Sequence, residues 1–187
     1  MTTHSARSDQ SGPHEENHRP DPPPAQAVSF EDWYKRDMPG LVLFAMMLGA
    51  RKEDARDLAQ QAFADAYPRW DTIDFPRAYL RTCISRAYER RHATLQRYET
   101  CTDSIVESTA PADPAVGRIE IHDQEQRILT EIRRLKPGQR EVMAWTLDGY
   151  EPAEIASILG KSQGAVRASL YKARRNLRHA LASRKED

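Results

Sequence analysis

The stretch KSQGAVRASLYKARRNLRHALASRK, residues 161–185, holds eight basic residues and no acid, although the 187-residue chain balances 28 Lys and Arg against 28 Asp and Glu. Guanidinium and ammonium groups at this density suit phosphate chemistry: they neutralise a nucleic-acid backbone and, from the first turns of a helix, reach base edges. Ser162 can cap such a helix, with Val166, Leu170, Ala173, Leu177 and Leu181 recurring along one seam. With that seam buried, Arg167, Lys172, Arg174, Arg175 and Arg178 are left facing outward. The preceding segment, PAEIASIL, turns Ile155, Ile158 and Leu159 inward and stops at Gly160, so the two helices and their GKS turn have the proportions of a helix-turn-helix. A solvated basic face on a structural helix is the competing reading; the turn signature and the run without acids favour DNA.

A second concentration of positive charge lies in PRAYLRTCISRAYERRHA, opened by Pro76, where Arg77, Arg81, Arg86, Arg90 and Arg91 face Glu89 alone. Between the two basic helices, residues 99–125 carry seven acids and one base, around the loop-like run STAPADPAVG. Charge is sorted by segment, and the zero net charge hides it.

The elements that must hold these residues read as helices throughout. There are 8 Gly and no sustained alternation of apolar and polar residues, which predicts an all-α protein. Ser29 with Asp32 predicts a cap for a short helix FEDWYKRD, and Pro39-Gly40 a break before an apolar helix over 41–49. In KEDARDLAQQAFADAY the apolar positions Ala55, Leu58, Ala59, Ala62, Phe63 and Ala66 form one core stripe, and Pro68 ends that helix. Ile128, Leu129, Ile132 and Leu135 mark a helix ended by KPG, and GQREVMAWTLDGY gives another that closes at Gly149. The chain thus divides into a disordered tail over 1–28, a helical domain over 29–95, a flexible acidic linker over 96–122 and a helix-turn-helix domain over 123–183.

Other chemistries find little support. Cys83 and Cys101 have no CxxC spacing, and His4, His14 and His18 fit no ligand pattern, so no metal, cofactor or disulfide framework is expected. A nuclease would need clustered carboxylates or His and Cys ligands, and the acids lie instead in the linker and on solvated faces, so no catalytic residue is expected. The first 29 residues hold no apolar core segment, so no signal peptide is expected, and LVLFAMMLGA is about half the roughly 20 residues that a membrane span requires. A reducing cytoplasm is the natural setting.

DLAQQAF in a first helical unit, an arginine-rich helix after it, and LKPGQREVMAWTLDGYEPAEIASILGKSQGAVRASLYKARRNL together resemble bacterial RNA polymerase sigma factors of the extracytoplasmic-function type. The resemblance covers about residues 29 to 183 and implies two helical domains, regions two and four, joined by a linker. It implies that Asp57, Gln60, Gln61 and Phe63 face the clamp helices of the β′ subunit, although Leu58, Ala59, Ala62 and Phe63 belong to the core stripe by periodicity. It implies a minus-ten element met by Arg77, Tyr79, Arg81, Arg86 and Arg90, with Tyr79 either stacking on bases or packing in the core. It places the minus-thirty-five element on Ser162, Gln163, Gly164, Arg167, Ala168 and Lys172 at the start of the last helix, with Arg174, Arg175 and Arg178 on phosphates beyond. Core polymerase, through β′ and β, promoter DNA and an anti-sigma protein are the implied partners. Gln61 stands where the family generally has an acid, Tyr79 where Trp is frequent, Arg86 where Asn is frequent, and Glu151-Pro152 where hydroxyl and aromatic residues are usual. The acidic linker would either imitate nucleic acid in the polymerase channels or serve as a soluble tether. A stand-alone helix-turn-helix regulator is the alternative, and it leaves the Asp57–Phe63 face and the second basic helix without a purpose.

Overall fold

Ser29 Oγ accepts from the Asp32 backbone N–H and opens α1, Phe30–Leu48, in the computed structural model, which describes residues 29–99 and 123–182. The tail over 1–28, Cys101 and most of the acidic linker lie outside the described residues. α1 runs through Pro39 and Gly40, where the sequence pattern pointed to a break between two helices. Proline removes one intrahelical hydrogen bond, and burial of Trp33, Met38 and the apolar run from Leu41 to Leu48 offsets that loss. Gly40 has a separate role: a Cβ there would stand 3.3 Å from the Arg81 guanidinium, so its missing side chain makes room for that group. Gly49 then ends the helix at φ 114°, where a Cβ would come within 2.7 Å of the Tyr88 hydroxyl.

α2, Lys52–Ala66, buries the whole stripe Ala55, Leu58, Ala59, Ala62, Phe63 and Ala66. A 3-10 turn over Tyr67–Thr72 follows and folds Trp70 back, where it meets Phe30 edge-on at 5.0 Å between ring centroids. Phe63 sits in the same aromatic cluster, 5.6 Å from Phe30 and 4.9 Å from Tyr34. α3, Pro76–Glu99, extends four residues past the boundary expected at 95. Arg91 on α3 pairs with Asp54 on α2 at 2.7 Å.

The second unit is built from α4 (Asp123–Arg133), α5 (Pro137–Leu147), α6 (Pro152–Leu159) and α7 (Gln163–Ala182). Glu151 and Glu154 form a reciprocal capping box at the start of α6, and Gly160 closes that helix at φ 62°. Among the described residues there is no strand.

Helices α1–α3 and α4–α7 are packed directly on one another. The cause lies in α1. Leu41, Val42, Phe44, Ala45, Met46, Met47 and Leu48 are all buried, leaving Leu43 alone half-exposed in that run, and a helix apolar nearly all round must be covered on both sides. α2 and α3 cover one side; α4 and α5 of the second unit cover the other. Phe44 on α1 meets Trp145 on α5 edge-on at 5.0 Å, and the buried side chains of both units form one continuous cluster. Arg133 at the end of α4 adds a hydrogen bond to the Ala50 carbonyl at the α1–α2 corner, 3.1 Å.

Candidate nucleic-acid interface

α7 is anchored along its seam: Val166, Leu170 and Ala173 are buried, and Leu177 is half-buried against the core. Leu181, expected to continue the seam, is exposed. Ser162 Oγ accepts from the Ala165 backbone N–H at 3.2 Å, fixing where the helix starts. Lys161 in the turn pairs with Glu141 on α5, and Asn176 donates to Gln139 on α5 at 3.2 Å, so the start and the middle of α7 are referenced to the same supporting helix.

Most of the rest of α7 faces out. Gln163, Gly164, Arg167, Ala168, Lys172, Arg174, Arg175 and Arg178 are all exposed. At about 100° per residue, Gln163, Arg167, Arg174 and Arg178 fall within about 60° of one another, a single ridge of hydrogen-bond donors along some four turns. Tyr171, four residues from both Arg167 and Arg175, is exposed beside that ridge. The sequence reading passed over it. Its signal was a place off the seam, between two arginines on a face with no acid.

On α3 the outcome divides. Arg86 and Arg90 are exposed. Tyr79 is half-buried against the core beside Cys83, and burial is the largest influence pushing its phenol up. Arg77 is half-buried and engaged: its Nη2 lies 3.0 Å from the Asp148 carboxylate and also donates to the Asp148 carbonyl. Arg81 is 2% exposed, with Nη1 donating to Asp37 on α1 at 2.8 Å and Nε in contact with the Asp148 carboxylate. Burial alone would lower the Arg81 pKa, yet the two carboxylates outweigh it and hold the guanidinium charged. The assignment of Arg81 to a phosphate contact is therefore corrected for this arrangement: its donors are turned into the junction of α1, α3 and α5.

The polymerase-facing set on α2 also divides. Asp57 and Gln61 are exposed and Gln60 is half-buried on the side away from the stripe, with Gln61 donating to Asp65 at 2.7 Å. Phe63 is buried in the aromatic cluster and presents nothing to a partner, which corrects its place in that set. Its role is to hold α2 against α1.

Asp148, absent from the candidate residues, is the acid around which the junction is organised. It sits at the C-terminal cap of α5, 9% exposed, next to Gly149 at φ 99°. Tyr150 follows, edge-on to Trp145 at 4.9 Å, with the Arg77 guanidinium 5.8 Å from its ring centroid, and burial pushes its phenol up to about 12. A cavity of about 390 Å³ opens beside these groups, between Trp33, Asp37 and Leu43 on one side and Leu147 and Asp148 on the other. Among the described residues no cluster of His, Cys, Asp or Glu is placed to hold a metal ion, and no helix is long and apolar enough to cross a membrane.

The family description "Sigma-70, region 4" matches residues 125–177, which span α4 to most of α7. The chain is 31% identical over 168 residues to the RNA polymerase sigma-E factor of Streptomyces coelicolor, a match covering 87% of this chain and 91% of that protein. It is 31% identical over 148 residues to the ECF RNA polymerase sigma factor SigJ of Mycobacterium tuberculosis, covering 72% of this chain and 46% of that protein. Among solved structures, the sigma factor RpoE in complex with the anti-sigma factor NepR from Bartonella quintana shares the fold. It has a TM-score of 0.65 at 22% identity, over 82% of this chain and 96% of that one. CnrH, solved with the cytosolic domain of CnrY, gives 0.57 at 22% identity, over 85% of this chain and 93% of that one.

Proposed function

Because the chain belongs to the extracytoplasmic-function RNA polymerase sigma factors, we propose a division of labour between its two helical units. As a sigma factor, it binds core RNA polymerase and directs it to promoters. The finer reading assigns α2, through Asp57, Gln60 and Gln61, to the β′ clamp helices, and α3 to the minus-ten element through Arg86, Arg90 and Arg77. α7 takes the minus-thirty-five element, with Gln163, Arg167, Ala168 and Lys172 toward base edges and Arg174, Arg175 and Arg178 on phosphates. The β subunit is the second polymerase contact. The protein supplies no catalytic group, works in the cytoplasm with the polymerase, and is open to control by an anti-sigma protein, the kind of partner with which RpoE was crystallised.

The observation that carries this reading is the outward ridge on α7, free of acids along its length and tied to α5 at its start and at Asn176. Run-off transcription with core polymerase on genomic promoter fragments tests it: specific transcripts are expected only with the protein present, and poor duplex binding without polymerase. Nanomolar, sequence-specific binding by the purified chain alone would support the stand-alone regulator instead.

A further inference from the structure

The cavity of about 390 Å³ beside Asp148 lies within the range of about 300–1,000 Å³ in which small-molecule sites fall. Its charged lining is unequal: Arg36, Arg77 and Arg81 stand against Asp37 and Asp148. Four of these five groups are committed to one another. Arg81 bridges the two carboxylates, and Arg77 Nη2 serves both the carboxylate and the carbonyl of Asp148. Arg36 is the cation left over. It is exposed, has no carboxylate partner among the described residues, and lies with its guanidinium 4.4 Å from the centroid of the Trp33 ring.

The hydrogen-bonding groups left over are donors as well. Trp33 lines the cavity, is 1% exposed, and its indole N–H has no partner among the described residues; Arg77 Nε is in the same position. Trp70 and Trp145 also lack a partner for the indole N–H, but neither lines this cavity. The Asp148 carboxylate, by contrast, is met by Arg77 and Arg81. The cavity is therefore short of an acceptor, and a buried donor without one is a cost that a ligand oxygen removes. The rest of its wall is apolar: Leu43 and Met47 on α1 and Leu147 on α5. Leu43 and Leu147 are 39% and 53% exposed, large apolar side chains that the fold itself leaves uncovered.

We propose that this cavity is a binding site for a small organic monocarboxylate, its carboxylate on the Trp33 indole N–H and the Arg36 guanidinium, its apolar body against Leu43, Met47 and Leu147. One negative charge brings the lining to balance. A neutral ligand would leave Arg36 uncompensated, and inorganic phosphate would leave the apolar wall uncovered. A carboxylate on a guanidinium gains charge-assisted hydrogen bonds, and the indole N–H adds a directional one. The site is separate from promoter recognition and does not depend on it, because neither Trp33, Arg36, Leu43 nor Leu147 is assigned to polymerase or DNA.

The test is a titration of the full-length chain followed by proton–nitrogen correlation NMR, in which each of the three tryptophans gives one indole signal. The probes are 3-phenylpropionate, its neutral counterpart 3-phenylpropionamide, and inorganic phosphate. The Trp33 indole signal should move saturably with 3-phenylpropionate, with a Kd of about 1–10 mM for a ligand of this size. The amide should bind about tenfold more weakly, and Arg36→Gln should weaken the acid about threefold, since an exposed charge is partly screened. Arg36 is exposed, so circular dichroism of that variant should match wild type. No saturable movement of the Trp33 signal at concentrations well above that Kd would overturn the site. Equal binding of acid and amide, or no loss in Arg36→Gln, would overturn the role of charge. Phosphate moving the signal as strongly as 3-phenylpropionate would overturn the organic ligand.

Discussion

Arg77 and Arg81 on α3, like Arg174 and Arg178 on α7, are pairs of arginines four residues apart on helices nearly free of acids. Their fates in the fold are opposite. The α7 pair is exposed, and among the described residues Arg178 Nε reaches the Arg174 carbonyl at 3.5 Å. The α3 pair is drawn into a junction where Asp37 and Asp148 close on it. Local composition reports how much charge a helix carries; which carboxylates arrive beside it is set by elements 44 and 71 positions away. Arginines on a flank that packs against another unit serve the fold first, and arginines on a flank that packs against nothing remain available for phosphate.

The sharpest way to break this contrast is to remove one arginine from each helix and measure stability by chemical denaturation. Arg81→Ala takes the guanidinium from the largely buried Asp37 and leaves Asp148 with Arg77 alone, and should cost about 3–5 kcal/mol. Arg175→Ala removes an exposed side chain and should fall within about 0.5 kcal/mol of wild type. Equal costs would mean that burial at the junction does not separate the helices. The same logic divides α2. Phe63→Ala should cost about 3–5 kcal/mol by opening the aromatic cluster. Asp57→Ala and Gln60→Ala should leave the melting transition in place and weaken binding to core polymerase in a pulldown. An unfolded Asp57→Ala beside a harmless Phe63→Ala would reverse the faces.

That contrast also marks what was legible beforehand. The α2 stripe, the α7 seam from Val166 to Ala173, the Ser29 and Ser162 caps and the stops at Pro68 and Gly160 could be read because each depends on residues within a turn or two. Helix continuity through Pro39 was not legible, since what offsets the lost hydrogen bond is tertiary burial on both sides of α1. The unbroken apolar run in α1 did carry the message that two faces were covered, without naming the second cover. Asp148 could not be found at all. A lone acid at a helix end looks solvated until α3 is laid against it.

Smaller effects sharpen the picture within α7. Arg167→Ala should change preference among minus-thirty-five sequences, at roughly 1–3 kcal/mol for the favoured base if the contact is bidentate. Arg175→Ala and Arg178→Ala should weaken all promoters alike, each flattening the log–log salt slope by about 0.9. Holoenzyme binding across a salt series, with matched and altered elements, separates the two behaviours. An even loss from Arg167→Ala with a shifted preference from Arg178→Ala would mean that the helix docks in another orientation.

The smallest expected effect is a dependence of the junction on pH. Glu89 on α3 has its carboxyl pKa raised from the ordinary value of 4.5, first by burial and then by Glu141 on α5, against the opposing pull of Lys161 and Arg86. Glu141 is shared at this point: Ser85 Oγ donates to it at 3.3 Å, and Lys161 pairs with it. A carboxyl whose pKa is raised in the packed state binds its proton more tightly there than when the units part. Its contribution is therefore fully present below about 4.5 and is lost as pH rises through the raised value. Glu89 is mostly solvated, so the change should be slight and is best read as a difference. The radius of gyration of wild type should increase from pH 4.5 upward more than that of Glu89→Gln, which cannot titrate and should remain the more closed of the two at neutral pH. Carboxyl groups that do not touch Glu89 titrate alike in both proteins and cancel in the comparison. A wild type that closes further than Glu89→Gln as pH rises would give the opposite sign, and would mean that Lys161 and Arg86, rather than burial and Glu141, govern this end of the junction.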